Sequence, residues 1–147
     1  MTNELWERWI DNWKWINDVA EKRNWNIIDR LEIGPPISQI ELGQIEKEIG
    51  TKLPPSYVDV VTNYSRAVTF YIDIEGEEPE GEFNPLFSIG YEGLWSVEDL
   101  PVMKISYDNW VKECFPDADN DYDRVWHNKI PFISVATGDL IAFDVSV

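Results

Sequence analysis

The chain has 147 residues, enough for one domain with a substantial core, and 44% of it is hydrophobic. Its 12 Lys and Arg against 28 Asp and Glu leave a net charge of -16 and a pI near 4.2. That balance argues against direct nucleic-acid binding, which needs clustered cations to meet phosphates, and is compatible with a basic protein partner as well as with plain solubility. Cys114 is the only cysteine and His127 the only histidine, so an intramolecular disulfide and the usual zinc clusters are excluded. With no apolar leader and no run of eighteen apolar residues, the expectation is a cytoplasmic protein that makes no use of the membrane.

Met1 to about Trp25 reads as an amphipathic helix within a Trp-rich N-terminal segment, residues 1–33, of the same domain. Trp6, Trp9, Trp13, Ile16 and Ala20 recur at alternating three- and four-residue steps, and Leu5, Ile10 and Val19 widen the stripe. Thr2 or Asn3 can cap it. Trp15 falls at the edge of the stripe, so this face either docks on the domain or offers part of a partner surface.

After Gly34-Pro35-Pro36 a second helix opens with Ser38 as N-cap, Glu41 as its capping-box partner, and Ile37 and Leu42 placed as a hydrophobic staple. Gly50 stands where a left-handed C′ residue belongs. Pro54-Pro55 starts a short third helix with Tyr57, Val60, Val61 and Tyr64 inward. Val68, Phe70, Ile72 and Ile74 then alternate with polar or amphipathic neighbours, the pattern of a half-buried strand.

That strand runs into an acidic loop carrying Glu75, Glu77, Glu78, Glu80 and Glu82 between glycines and a proline, a composition that cannot pack and self-repels. One or two short strands are expected between Phe87 and Val97. A fourth helix follows Pro101, with Met103, Tyr107, Trp110 and Val111 inward, Cys114 at the margin of that face, and Phe115-Pro116 ending it. A second acidic loop holds Asp117, Asp119, Asp121 and Asp123. Ile130 to Val135 and Leu140 to Val145 close the chain as two apolar strands around the turn Thr137-Gly138-Asp139. Helices first and strands after, without βαβ alternation, predict an α+β domain: N-terminal helices packed on a largely antiparallel sheet.

Few residues suggest chemistry. Asp117 to Asp123 places oxygens at alternate positions as a calcium loop does, but Tyr122 stands where the turn glycine is needed and Asn128 where the bidentate glutamate is needed. His127, between Trp126 and Asn128, has no nucleophile beside it and reads as structural. No carboxylate pair stands out among the 28 acidic residues. No catalytic residue, metal ligand or cofactor is therefore assigned.

Ile45-Glu46, then Gly50-Thr51-Lys52-Leu53-Pro54-Pro55-Ser56-Tyr57, resembles a signature of the SUKH superfamily, which contains the yeast regulator of cell-wall glucan synthesis and many bacterial immunity proteins. Tyr64 to Phe70, Gly93-Leu94-Trp95, Val125 to Lys129 and Gly138 to Asp144 are similar to later blocks of a bacterial branch, so the resemblance covers about residues 37 to 147. Two departures stand out. Asn63-Tyr64-Ser65-Arg66 replaces the usual asparagine-glycine, and the chain stops at Val147 where relatives continue into a further strand and helix. The SUKH-like part, residues 34–147, would then be incomplete, completed by a partner, or trimmed.

The resemblance implies binding rather than catalysis: an immunity protein that neutralises a toxin, most simply a nuclease, or else an intracellular adaptor of the cell-wall regulator type. Charge and exposure, not a motif, nominate the recognition residues. These are Glu75, Glu77, Glu78, Glu80 and Glu82 on one loop and Asp117, Asp119, Asp121 and Asp123 on the other, with Tyr71 or Trp15 as an apolar anchor for a basic toxin domain.

Overall fold

In the computed structural model the described residues are 1–73, 91–92, 95–134 and 140–146. The chain opens with α1 (Asn3–Lys22), which Thr2 caps by accepting the Leu5 N–H, then β1 (Asn26–Ile33). Next come α2 (Gln39–Ile49), α3 (Pro55–Asn63) and β2 (Ala67–Asp73). Two short strands, β3 (Tyr91–Glu92) and β4 (Trp95–Ser96), precede a 3-10 turn at Val97–Asp99 and α4 (Leu100–Cys114). A one-turn helix α5 (Asp121–Arg124) leads into β5 (Lys129–Ser134) and β6 (Leu140–Asp144). The α+β expectation holds: among the described residues all strand pairs are antiparallel.

β2 is the centre of the first sheet, with β1 on one side and β3 and β4 on the other. Its alternation is as expected, with Val68, Phe70 and Ile72 buried and Thr69 and Tyr71 half-buried. β1 has no counterpart in the sequence reading. It pairs Asn26 with Asp73 and Ile33 with Val68, but slips register between Ile27 and Asp29 and again between Asp29 and Glu32. Each slip is a bulge, and a bulge breaks the period of two that marks a strand in sequence.

β5 and β6 form the second sheet, as expected, with one register shift between Pro131 and Ile133. Pro131, which has no N–H to give a ladder, stands where the pairing is irregular. The predicted turn at Thr137-Gly138-Asp139 lies outside the described residues, as do Ile74 and the loop Glu75 to Glu82. Phe132 and Phe143 stack at 4.1 Å, and Tyr57 of α3 meets both rings at 5.7 and 5.3 Å. These contacts tie the hairpin to the main core of Ile37, Leu42, Leu53, Val61, Val68, Trp95 and Leu100.

The Trp-rich stripe of α1 docks on this core. Trp6 and Trp13 lie edge to face at 5.6 Å, and both meet Trp95 of β4, at 6.3 and 5.8 Å. Trp6 also meets Tyr64 at 5.4 Å, while Ala20 is fully buried against Phe70 and Ile72. Offset and edge-to-face pairs of this kind add to the area that the rings bury.

The local signals in α2 appear as expected. Ser38 Oγ accepts the Glu41 N–H at 3.2 Å while the Glu41 carboxylate accepts the Ser38 N–H at 3.1 Å. Ile37 and Leu42 are both buried, and Gly50 takes φ +72°. The Ser38 hydroxyl and N–H, with the Arg66 guanidinium, hold the Glu41 carboxyl near 2, well below its usual 4.5. A depressed folded pKa stabilises above 4.5 and is lost as pH falls from there toward 2. The thermal midpoint is therefore expected to drop over that window in the native chain and less steeply in Glu41→Gln, and parallel profiles would refute this role. Ser38→Ala should cost about 1 kcal/mol in a denaturant melt.

The signature residues prove architectural. Glu46 is mostly buried, and burial pushes its carboxyl up. The Lys52 ammonium at 2.5 Å and the Leu53 N–H at 3.0 Å outweigh that and hold it below the ordinary value. Glu46 thus fixes the turn that Gly50 begins and Pro54-Pro55 ends. Tyr57 fills the core, yet its hydroxyl has no hydrogen-bond partner among the described residues. A buried, unpaired hydroxyl costs stability. Tyr57→Phe is therefore expected to raise the unfolding free energy by about 1 kcal/mol; a loss of similar size would show that the hydroxyl is satisfied.

Candidate protein-binding surface

The last turn of α4 departs from the expected inward face. Leu100, Tyr107 and Val111 are buried, but Trp110 is 40% exposed and Cys114 is exposed. α4 packs on α2 and β5, and this contact covers a stripe too narrow to include Trp110 and Cys114. Trp110 meets Tyr107 at 5.9 Å and otherwise turns to residues that follow it in the chain. It meets Phe115 edge to face at 4.9 Å and Trp126 at 5.4 Å and 87°. Phe115 and Trp126 stack at 5.1 Å and 24°, and Tyr122 joins Phe115 at 5.9 Å. Trp126 is 36% and Tyr122 67% exposed, so this is a surface cluster and not core.

The backbone around these rings is pinned by polar bonds. The Tyr107 hydroxyl donates to the Trp126 carbonyl. Burial, and after it the charges of Asp108 and Asp144, push that phenol up to about 12, so it remains a donor throughout the ordinary pH range. His127 Nε2 lies 2.8 Å from the Phe115 carbonyl, placing its proton on that nitrogen. The histidine thus closes the segment from 115 to 127 into a loop, in keeping with the structural role read from sequence. Asn128 adopts φ +57°, and its carbonyl accepts the Val145 N–H at 2.9 Å.

Within that segment the expected acidic loop is partly helical. Asn120 caps α5 by accepting the Tyr122 and Asp123 N–H groups. Asp123 accepts the Asp117 N–H at 3.2 Å, and Asp117 Oδ1 accepts the Asp119 N–H at 3.1 Å. These oxygens therefore close turns, which the alternating sequence could not distinguish from a cation loop. Among the described residues no group of three or more His, Cys, Asp or Glu side chains converges as a metal site. Asp117, Asp119 and Asp121 remain exposed and Asp123 is half-buried. Arg124 is paired with Asp121 at 2.8 Å.

The other nominated residues fall elsewhere. Trp15 is 46% exposed on α1, which packs on β1, and Tyr71 is half-buried on the central strand β2. Glu75, Glu77, Glu78, Glu80 and Glu82 lie outside the described residues. Trp110, Phe115, Tyr122 and Trp126 were not nominated from sequence. The signal that could have found them is the spacing of four large aromatics around a run of aspartates.

Two clefts lie elsewhere on the described residues. One, of about 380 Å³, is lined mainly by apolar side chains of β4, α4 and β5 and holds a single carboxylate, Asp99. The other, of about 450 Å³, lies between α4 and the 127–130 segment and holds Asp108, Lys104, Lys112, Lys129 and His127. Its Lys104 and Lys129 are already paired, with Asp108 and Asp144. Neither lining brings together two carboxylates of the kind that glycosidase-type acid–base work uses. No helix among the described residues is long and apolar enough to cross a membrane.

The model of the SMI1 / KNR4 family (SUKH-1) matches residues 36–147. No curated protein and no solved structure matches the chain significantly.

Proposed function

The chain belongs to the SMI1 / KNR4 family (SUKH-1), and from that we propose that it is a non-enzymatic binding protein: an immunity protein that neutralises a cognate toxin by covering its working surface. The family includes both immunity proteins and SMI1/KNR4 regulators. The observation that favours immunity is the pairing of a net charge of -16 with a solvent-facing aromatic cluster edged by aspartates. Aromatic side chains at a surface are hot-spot residues, and an acidic field speeds and orients capture of a basic protein. A nuclease must be basic to hold phosphate, so a nuclease toxin is the partner class that this surface suits best. We place the encounter in the cytoplasm, where such a toxin would act.

The test has two stages. The chain is used as bait in a low-salt pull-down from its native host, and the recovered partner is then assayed with purified chain. A basic toxin domain captured near one-to-one, and silenced by an equimolar amount of the chain, is the expected result. Recovery of several housekeeping proteins with no toxic activity among them would overturn immunity in favour of the adaptor reading. The Asp117, Asp119, Asp121 and Asp123 side chains are the proposed electrostatic contact on the described residues. The loop from Glu75 to Glu82 is a second such contact, with Trp15 and Tyr71 as subsidiary apolar positions.

A further inference from the structure

We propose that the surface formed by Trp110, Phe115 and Trp126 docks an arginine-bearing segment of a cationic protein partner, with the guanidinium laid against the rings and bonded by flanking aspartates. This rests on the binding reading above and adds to it a place and a chemistry.

The rings are arranged before any partner arrives. Phe115 and Trp126 are stacked, and Trp110 stands at 87° to Trp126, so the three make a corner in which Trp110 is 40% and Trp126 36% exposed. The Tyr107–Trp126 and His127–Phe115 bonds hold the backbone of two of the three rings. Little ordering is therefore left to oppose binding, which is the usual cost of engaging large side chains.

Three features select the occupant. Glu113, Asp117, Asp119 and Asp121 are exposed along this stretch; of its two cations, Arg124 is engaged by Asp121 and Lys112 lines the cleft against the 127–130 segment. α4 is a 15-residue helix that ends at Cys114, next to Phe115, so its negative C-terminal end adds to the field. The aromatic faces prefer a planar, weakly hydrated cation that can stack, which describes a guanidinium better than an ammonium. The same charges argue against an anionic membrane surface or nucleic acid. A second copy is disfavoured as well, since two chains of -16 repel.

The experiment follows the eight tryptophan indole N–H resonances of the full chain by NMR, assigned through single Trp→Phe variants. It uses two peptides matched in length and charge, one of alternating Gly and Arg and one of alternating Gly and Lys. At low salt the Arg peptide is expected to shift the Trp110 and Trp126 resonances and to bind about five-fold tighter than the Lys peptide. Trp126→Ala and Trp110→Ala should each weaken the Arg peptide by about ten-fold. Equal affinity for both peptides, or shifts confined to the tryptophans of α1, would overturn the proposal, and the first of these needs no variant at all. The two readings can fail separately. A toxin bound with unchanged affinity by Trp110→Ala and Trp126→Ala would sink this site and leave immunity standing. Arginine discrimination in a chain that captures no toxin would do the reverse.

Discussion

Replacing Trp95 by alanine is expected to lower the unfolding free energy by about 3–5 kcal/mol. Trp95 is 9% exposed on a two-residue strand that pairs with β2, so its backbone contributes little and its side chain most of the attachment. Its indole touches Trp6 and Trp13, and its Nε1–H donates to the Ser65 carbonyl at 3.3 Å. Alanine removes the wall on which α1 rests and leaves a buried carbonyl without that donor. A typical domain has about 5–15 kcal/mol in all, so the loss would be a large share of it. Amide exchange should further show α1 opening before β5 and β6, because Phe132, Phe143 and Tyr57 also pack on one another and do not rest on the core that includes Trp95 alone. A midpoint shift no larger than that of an exposed control such as Val102→Ala would show that α1 does not lean on Trp95.

The second large effect is kinetic. Reversing Asp117, Asp119 and Asp121 to lysine should slow association with a basic partner by about ten- to a hundred-fold at low salt. The dissociation rate should rise as well, by a smaller factor, because these carboxylates are exposed and their bonds to a guanidinium are screened by solvent. The gap between native and reversed chains should close as ionic strength rises, since the Debye length shrinks to about 8 Å in physiological salt. Stopped-flow association at two salt concentrations reads both quantities. An on-rate unaffected at low salt would remove this face from the encounter, leaving Glu75 to Glu82 as the remaining acidic candidate.

The readable parts of the sequence were those governed by neighbours in the chain. The Ser38–Glu41 box, the left-handed Gly50, the Pro54-Pro55 start of α3 and the alternation of β2 each depend on a few consecutive residues, and each appears in the structure. β1 was not readable because Ile27, Leu31 and Ile33 share a strand face while Ile27, Ile28 and Leu31 equally share a helix face, and the register shifts at Ile27/Asp29 and Asp29/Glu32 are not encoded in that spacing. Trp110 was misplaced for a related reason. Its spacing from Tyr107 and Met103 fits the buried face of α4, yet the stacking of Phe115 on Trp126 offered it another partner, and no periodicity encodes that choice. The acidic nature of the 117–123 segment was plain, whereas its helical turn and capping bonds came from Asn120, which composition alone did not single out.

The pairing of β1 with β2 has a practical consequence for anyone trimming the chain. The family match begins at residue 36, and a fragment cut there would lose β1 along with α1. β2 would then offer an open ladder of N–H and C=O groups with Val68, Phe70 and Ile72 beside it, newly stripped of cover. Such an edge recruits strands from other molecules. The irregular, charged β1, with Asp29, Arg30 and Glu32 exposed, is poorly suited to that recruitment and so serves as a selvage. A fragment of residues 36–147 is expected to precipitate or assemble where the full chain stays monodisperse, and light scattering on the two would show whether the folding unit extends beyond the family match.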